Sequence, residues 1–534
     1  MRPNSESSIL LRDLGFDWPD GTTALRGITA TIGTGRTGLI GANGTGKSTL
    51  LRLLAGELAP TSGSVVTLGD TAYLPQTLSL RVDWTVADLL GVRAQVEALA
   101  AIESGSTDAV HYDIIGDQWD VNARAGQLLA EAGLAGITLD RNVGTLSGGE
   151  AMLVAISGLR LSGAAISLLD EPTNNLDRDA RERLYTMLDH WPGTLVVVSH
   201  DTALLELMDT TAELREGELV VFGGPLTAYH DHVEQLQRAA QRDLRAAEQV
   251  LKTERRQRIE AETKIARSAK SGKAKAENLP KILVGKRKNN AEASAGRLRT
   301  EADAKIRDAR RAVEDAAELI REDKQIRISL PDPDVPGSRR LAEIRCGDEV
   351  VVLQGPERVA LTGPNGSGKT TLLTSLWRSE PPADGPYAVA HTERIGYLTQ
   401  RLDGLDDDAS ALANIRTALP AADPQEIRAK LAQFLLRGGA VDKRVGVLSG
   451  GERFRVALAK LLLVVPPAQL LVLDEPTNNL DMASVDQLID ALAGYRGGLL
   501  VVSHDEQFLR RLGVTRELHL ADGQLTVTEE SRRA

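Results

Sequence analysis

Two hydrophobic rhythms run along the chain, and they predict two kinds of element. Short apolar runs cover residues 166–169, 195–198, 470–473 and 499–502, broken only by Ser167. Each ends directly at polar residues, the pattern of parallel strands buried on both faces with ligand groups at their carboxyl ends. Between the two sets the rhythm changes to steps of three and four. Apolar residues fall at Val233, Leu236, Ala240, Leu244, Ala247 and Leu251, then at Ala291, Ala295, Leu298, Ala302, Ile306, Ala309, Val313, Ala316 and Ile320. Those steps predict a narrow seam between two long helices. The rhythm lapses over residues 272–290, which hold Pro280, Gly285 and Lys286-Arg287-Lys288. The expectation is an antiparallel helical hairpin with a basic, turn-like tip, its first helix of roughly forty residues reaching about 60 Å.

The strand-rich segments are two copies of one plan. Gly41-Ala-Asn43-Gly44-Thr-Gly46-Lys47-Ser48 recurs as Gly363-Pro-Asn365-Gly366-Ser-Gly368-Lys369-Thr370. Leu146-Ser147-Gly148-Gly149-Glu150 recurs as Leu448-Ser449-Gly450-Gly451-Glu452, and Asp170-Glu-Pro-Thr-Asn-Asn-Leu-Asp177 recurs unchanged from Asp474 to Asp481. Val198-Ser-His200-Asp recurs as Val502-Ser-His504-Asp. From Gln76 to Gln400 the offset is 324, but from Ser147 to Ser449 it is 302, so the first copy holds 22 extra residues between those motifs. The fold class predicted is α/β: two P-loop domains joined by a long antiparallel α-helical hairpin. The boundaries are residues 1–224 with a short insert near 97–117, then 225–327, then 328–534.

Each motif implies a task. The glycine loop frees backbone N–H groups to surround phosphates at a helix start, whose positive end favours anions. Lys47 and Lys369 are expected at the β/γ-phosphates, Ser48 and Thr370 at Mg²⁺, and the neighbouring Thr49 and Thr371 complete the loop's contacts. Asp170 and Asp474 close apolar strands and suit Mg²⁺ coordination. Glu171 and Glu475 beside them are placed to deprotonate the attacking water. His200 and His504 are candidates for the γ-phosphate, and Gln76 and Gln400 for a Mg²⁺ or water contact.

Leu-Ser-Gly-Gly-Glu discriminates further. With the phosphate loop, Gln, Asp-Glu and His in this order, each half resembles the nucleotide-binding domain of the ABC ATPases, over nearly everything outside the hairpin. The resemblance implies a head-to-tail sandwich in which the signature of one half completes the ATP site of the other. Lys47 would then share ATP with Ser449, Gly450 and Gly451, and Lys369 with Ser147, Gly148 and Gly149. It also implies Trp18, in Phe16-Asp-Trp18-Pro-Asp-Gly, as the adenine stacker. The nearest counterpart by sequence, Ile328-Ser-Leu330-Pro331, offers no ring, and after the signature glutamate Arg453 and Arg455 stand where the first half has Ala151 and Leu153. Two unequal sites are expected. Family members often have His where this chain has Asn175 and Asn479.

Composition narrows the partner. The 534 residues carry a formal charge of −11, yet residues 252–299 alone hold fifteen Lys/Arg against five Asp/Glu, so everything outside that window sums to −21. Charge-balanced spacers need no such excess. RNA phosphate fits it best, with Lys273, Lys275, Lys281, Lys286, Arg287 and Lys288 as the expected contacts, reading backbone and shape rather than splayed bases. One cysteine, Cys346, rules out an internal disulfide and fits a reducing cytosol. The most apolar stretch, residues 458–473, is interrupted by Lys460 and Pro466-Pro467, against a membrane span.

Tandem ATPase halves, no membrane segment and a basic helical linker together resemble the ABC-F proteins. That resemblance implies a cytoplasmic, monomeric ATPase that uses ATP and Mg²⁺ and binds the ribosome. Its linker would reach ribosomal RNA and peptidyl-tRNA near the peptidyl-transferase centre, and the outcome expected is antibiotic resistance by ribosome protection. A housekeeping translation factor of the same family is the alternative. The ATPase subunit of an importer is the alternative from another class, though it needs no hundred-residue basic hairpin.

Overall fold

The computed structural model describes residues 7–78, 83–174, 176–276, 281–320, 330–347, 349–378, 385–399, 404–478 and 480–529. The apolar runs form the middle of two six-stranded sheets. In the first half the order is Thr71–Leu74, Ile166–Asp170, Thr194–Val198, Gly35–Ile40, Thr210–Arg215, Glu218–Gly223. Five of these run parallel, and Glu218–Gly223 closes the edge antiparallel. The second half repeats that order with Ile395–Leu398, Leu470–Asp474, Gly498–Val502, Arg358–Thr362, Arg516–Ala521 and Gln524–Glu529. A three-stranded antiparallel sheet completes each half: Thr23–Ile32, Ile9–Asp17 and Ser62–Thr67 in one, Glu349–Gln354, Arg340–Cys346 and Tyr387–Ala390 in the other.

The middle strands lack an apolar/polar alternation because both of their faces are covered. Leu471, Leu473, Leu499 and Val501 pack into a cluster with Phe434, Phe454 and Phe508. Their neighbours Leu470, Val472, Leu500 and Val502 face the opposite way, into a cluster with Leu341, Ile344, Leu372 and Leu373. Burial on both faces pins the strands in register, and their polar ends are thereby presented at one edge. Residues 458–473, the most apolar stretch, divide between the buried helix Gly450–Leu463 and the strand Leu470–Asp474. Among the described residues no helix is long and apolar enough to cross a membrane.

By compactness the chain divides into two units: Met1–Leu226 with Gln325–Ala534, and Thr227–Lys324. The second unit is built from the helices Leu226–Ala276 and Lys281–Glu318. Arg258 Nε meets Asp303 Oδ1 at 2.8 Å, and Gln237 Nε2 donates to the carbonyl of Leu319 at 3.3 Å. Early residues of one helix thus meet late residues of the other, which is antiparallel pairing. Two features depart from the sequence expectation. The first helix has 51 residues, a reach of about 77 Å, and the backbone is helical across most of residues 272–290. Ala, Lys, Glu and Arg are strong helix formers, and i,i+4 pairs such as Arg256–Glu260 and Arg258–Glu262 carry the helix past the end of its apolar seam. The seam also shifts: Leu236 and Leu298 are 53% and 51% exposed, while Ala240 and Ala309 are buried.

The extra residues of the first half form the helices Arg93–Glu103 and Ala109–Ile115. Val110, Tyr112, Ile114 and Trp119 are exposed there, with the Tyr112 and Trp119 rings 5.9 Å apart.

Candidate functional site

Each glycine loop turns directly into a helix, Lys47–Leu54 in the first half and Lys369–Ser375 in the second. Gly46 (φ 99°) and Gly368 (φ 94°) cap those helices in the left-handed region, which only glycine adopts freely. At Gly44 and Gly366 nothing lies within 4 Å of where a Cβ would stand, so each loop borders open space there. Lys47 Nζ donates to the carbonyls of Gly41 (2.7 Å) and Ala42 (3.1 Å), and Lys369 Nζ to those of Gly363 (2.7 Å) and Pro364 (2.9 Å). Both ammonium groups are buried, which lowers their pKa, and Glu171 and Glu475 respectively oppose that shift.

At the ends of the buried strands, Thr370 Oγ1 donates to Asp474 Oδ2 at 3.0 Å, and Ser48 hydrogen-bonds Asp170. Asp170 Oδ1 is buried with no hydrogen-bond partner, and burial raises this carboxyl's pKa. An unsatisfied carboxylate oxygen beside a hydroxyl suits a hard divalent cation that takes its remaining ligands from phosphate and water. Among the described residues no group of three or more His, Cys, Asp or Glu converges to hold a metal. Bound there, Mg²⁺ would neutralise phosphate charge.

Glu171 (φ 49°) and Glu475 (φ 47°) leave the strand ends in the left-handed region. Their amides donate to the carbonyls of Val198 (2.8 Å) and Val502 (2.9 Å), which fixes the kink. Burial pushes both carboxyls up, Glu475 to about 7, which makes each a competent proton acceptor near neutrality. His200 and His504 each bring Nε2 to 3.2 Å from the adjacent glutamate, though not aligned as a hydrogen bond. Burial and the nearby lysines pull the histidines down to about 3 and 4, so both rings are neutral.

Ser147 and Ser449 are helix N-caps. Ser147 N donates to Glu150 Oε2 at 2.7 Å while Glu150 N donates back to Ser147 Oγ at 3.2 Å, and Ser449 with Glu452 makes the same box. Gly148, Gly149, Gly450 and Gly451 form the first turns, where backbone N–H groups have no acceptor within the helix. The serine-to-glutamate spacing was legible as a capping box, a second role for the same motif.

The two halves meet through aspartates that the repeats display but to which sequence reasoning assigned no role. Asp481 caps the helix Met482–Ala493 with Oδ1, and its Oδ2 accepts from Asn43 N, in the first half's phosphate loop, at 2.7 Å. Asp177 caps Arg178–Asp189 and accepts from Asn365 N at 3.2 Å. Arg178 with Glu506, and Thr202 with Gln507, add cross-half contacts. Each phosphate loop is therefore completed by the other half. Tyr73 and Tyr397 were also missed: their hydroxyls donate to Asp170 (3.4 Å) and Asp474 (3.2 Å). Both lie three residues before a predicted Gln, a repeated spacing that pointed to them.

Trp18 sits edge-on to Phe16, ring centroids 5.0 Å apart, at the tip between Ile9–Asp17 and Thr23–Ile32. Its counterpart is not residues 328–331. Register places it at the short turn through Gly347, between Arg340–Cys346 and Glu349–Gln354. The second half's hairpin is simply shorter, so it carries no ring there. Thr49 is buried in its helix, Thr371 is exposed, and Gln76 is exposed just beyond Thr71–Leu74. Gln400, Asn175 and Asn479 lie outside the described residues. Lys273 and Lys275 fall on the first hairpin helix and Lys281, Lys286, Arg287 and Lys288 on the second, their side chains outside the description.

A family model described as ABC transporter matches residues 25–174 and 351–478. The tylosin resistance ATP-binding protein TlrC of Streptomyces fradiae is 33% identical, over 96% of this chain and 97% of its own length. ABC transporter F family member 5 of Arabidopsis thaliana is 30% identical, over 95% of this chain and 74% of its own. Among solved structures, RNase-L Inhibitor superposes with a TM-score of 0.54 at 20% identity, over 95% of this chain and 87% of that one. A complex of archaeal ribosomal stalk protein aP1 with the ribosome recycling factor aABCE1 gives 0.52 at 19%, with the same coverage. At those identities the structures share the fold alone.

Proposed function

Taking as premise that the chain belongs to the ABC-F family of tandem ABC ATPases, we propose that it is a ribosome-protection factor. ATP binds at two sites, each built on one phosphate loop and closed by the signature helix of the other half. Ser48 with Asp170, and Thr370 with Asp474, hold Mg²⁺. Glu171 and Glu475 accept a proton from the attacking water, and neutral His200 and His504 face the γ-phosphate. Residues 1–224 and 328–534 are the two ATPase domains and residues 225–327 the linker. ATP-bound closure precedes ribosome binding, and hydrolysis precedes release. Through Lys273, Lys275, Lys281 and Lys286-Arg287-Lys288 the linker contacts RNA near the peptidyl-tRNA and the peptidyl-transferase centre. The protein works as a cytoplasmic monomer.

One observation carries this reading. A protein named for tylosin resistance matches 96% of this chain, more than the two ATPase halves alone would account for. Glu171→Gln with Glu475→Gln is expected to cut turnover by about 10²–10⁴ and to hold the closed state on ribosomes. Co-sedimentation with ribosomes no better than that of the unsubstituted protein under ATP would count against it. Expression in a drug-sensitive host should raise resistance to tylosin. A flat profile across macrolides, lincosamides, streptogramins and pleuromutilins, beside altered translation in vitro, would favour a housekeeping factor.

A further inference from the structure

Each strand-end aspartate has a donor that lies outside the repeated motifs. The strand Thr71–Leu74 runs parallel to Ile166–Asp170 with Tyr73 beside Leu168. In the second half Ile395–Leu398 runs parallel to Leu470–Asp474 with Tyr397 beside Val472. Alternate residues of a strand share a face, so each tyrosine stands on the same face as the aspartate two residues beyond its partner. Strand register thus brings a phenol to each carboxylate. Tyr73 packs against the core cluster that holds Leu168 and Leu50, and Tyr397 against the one that holds Val472 and Leu372, which fixes where each ring lies.

The hydrogen bonds treat the two carboxylate oxygens differently. Tyr397 Oη donates to Asp474 Oδ2 at 3.2 Å, the oxygen that Thr370 Oγ1 engages at 3.0 Å. Tyr73 Oη donates to Asp170 Oδ2 at 3.4 Å, and the buried Asp170 Oδ1 is left with no partner. A carboxylate has a broad, two-fold terminal torsion. A donor held by the neighbouring strand on one oxygen selects one orientation and leaves the other oxygen for a cation. The two halves differ in how the phenol is held. Aligned on Lys47 and Lys369, Trp377 of the second half corresponds to Ala55 of the first. The Trp377 and Tyr397 ring centroids lie 5.0 Å apart, with the planes tilted by 37°, whereas Ala55 offers Tyr73 no ring.

We propose that Tyr73 and Tyr397 are positioning residues for the divalent cation of the two ATP sites, each holding its strand-end aspartate by Oδ2 so that Oδ1 is set for the ion. Trp377 braces the tyrosine of the second site alone. This rests on the reading that Asp170 and Asp474 hold Mg²⁺ at two ATP sites.

Tyr73→Phe and Tyr397→Phe keep the ring and remove the hydroxyl. The test is uptake of Mn²⁺, a spectroscopic stand-in for Mg²⁺, by the full chain with a non-hydrolysable ATP analogue, read by electron paramagnetic resonance as the free ion falls. The unsubstituted protein should take up one ion at each site. Each single variant should hold one of the ions about tenfold more weakly, and the double variant both, the usual consequence of removing a group that orients a metal ligand. Binding of the analogue in EDTA, with no metal, should stay within about twofold, since the ring and its packing remain. Trp377→Ala should weaken one ion by about threefold through the loss of an aromatic contact. Ions held as tightly by the double variant as by the unsubstituted protein would overturn the proposal. So would an equal loss of metal-free analogue binding, which marks a packing role. No change in Trp377→Ala would overturn the brace. Uptake at fewer than both sites by the unsubstituted protein would instead overturn the two-site reading beneath it.

Discussion

Glu171 and Glu475 occupy left-handed backbone at φ 49° and 47°, a conformation that costs a non-glycine residue about 1–2 kcal/mol. The buried strands beneath them hold that strain, and it aims each carboxylate past the strand end instead of into the sheet. At this scale the repeats were informative. Asp177, Asp481 and the two serine caps, each quoted twice with the same neighbours, all hold hydrogen bonds in the fold. What they hid was conformation and pairing: no pattern announces a positive φ, or that Asp481 bonds Asn43 in the distant first loop. The sequence comparison also paired Trp18 with residues 328–331, whereas strand register pairs it with a shortened turn. Trp18→Ala should therefore weaken ATP binding at one site only. Loss of an aromatic stacking contact predicts a rise in Kd of roughly three- to tenfold there, with the other site unchanged. Titration with a fluorescent ATP analogue should show the two classes of site drawn closer together than in the unsubstituted protein.

The hairpin is where apolar rhythm and helix propensity disagree, and propensity prevails. Its seam was legible at Ala240, Leu244, Ala247, Ala302, Ile306, Ala309 and Val313, all at least half-buried. Leu236 and Leu298 keep the same spacing yet face solvent, because the pairing of the two helices decides which stripe is covered. The lapse at residues 272–290 predicts a turn-like tip, but a lysine-rich segment needs no seam to remain helical, and residues 272–276 and 281–290 are helix. Lys286-Arg287-Lys288 thus lies along a helix, a stiffer display for basic residues than a loop. Replacing all three with Ala should leave ATPase turnover within about twofold, since no nucleotide-site residue changes, while each lost phosphate contact weakens ribosome binding. Equal loss of both activities would place those residues in the folding of the hairpin instead.

For the whole molecule, charge and repetition alone outline the plan. Tandem halves, acidic bodies and a basic insert could be read in the sequence, whereas the reciprocal aspartate bridges required the fold. Binding of so acidic a protein to a polyanion must depend on its basic segment, and so on salt. If six or more phosphates are contacted, ribosome affinity should fall by about 10³ or more between 50 and 200 mM salt. A shallow slope in sedimentation assays would point to protein surfaces as the main contact.

The bridges from Asp177 to Asn365 and from Asp481 to Asn43 have a genetic consequence. In a dimer of identical chains every substitution is inherited by both sites at once, because the symmetry copies it. Here both sites are encoded in one polypeptide, so a codon change reaches one of them alone. Arg455 could arise in one signature helix while Leu153 stayed in the other, and each site could be selected for its own pace within the same cycle.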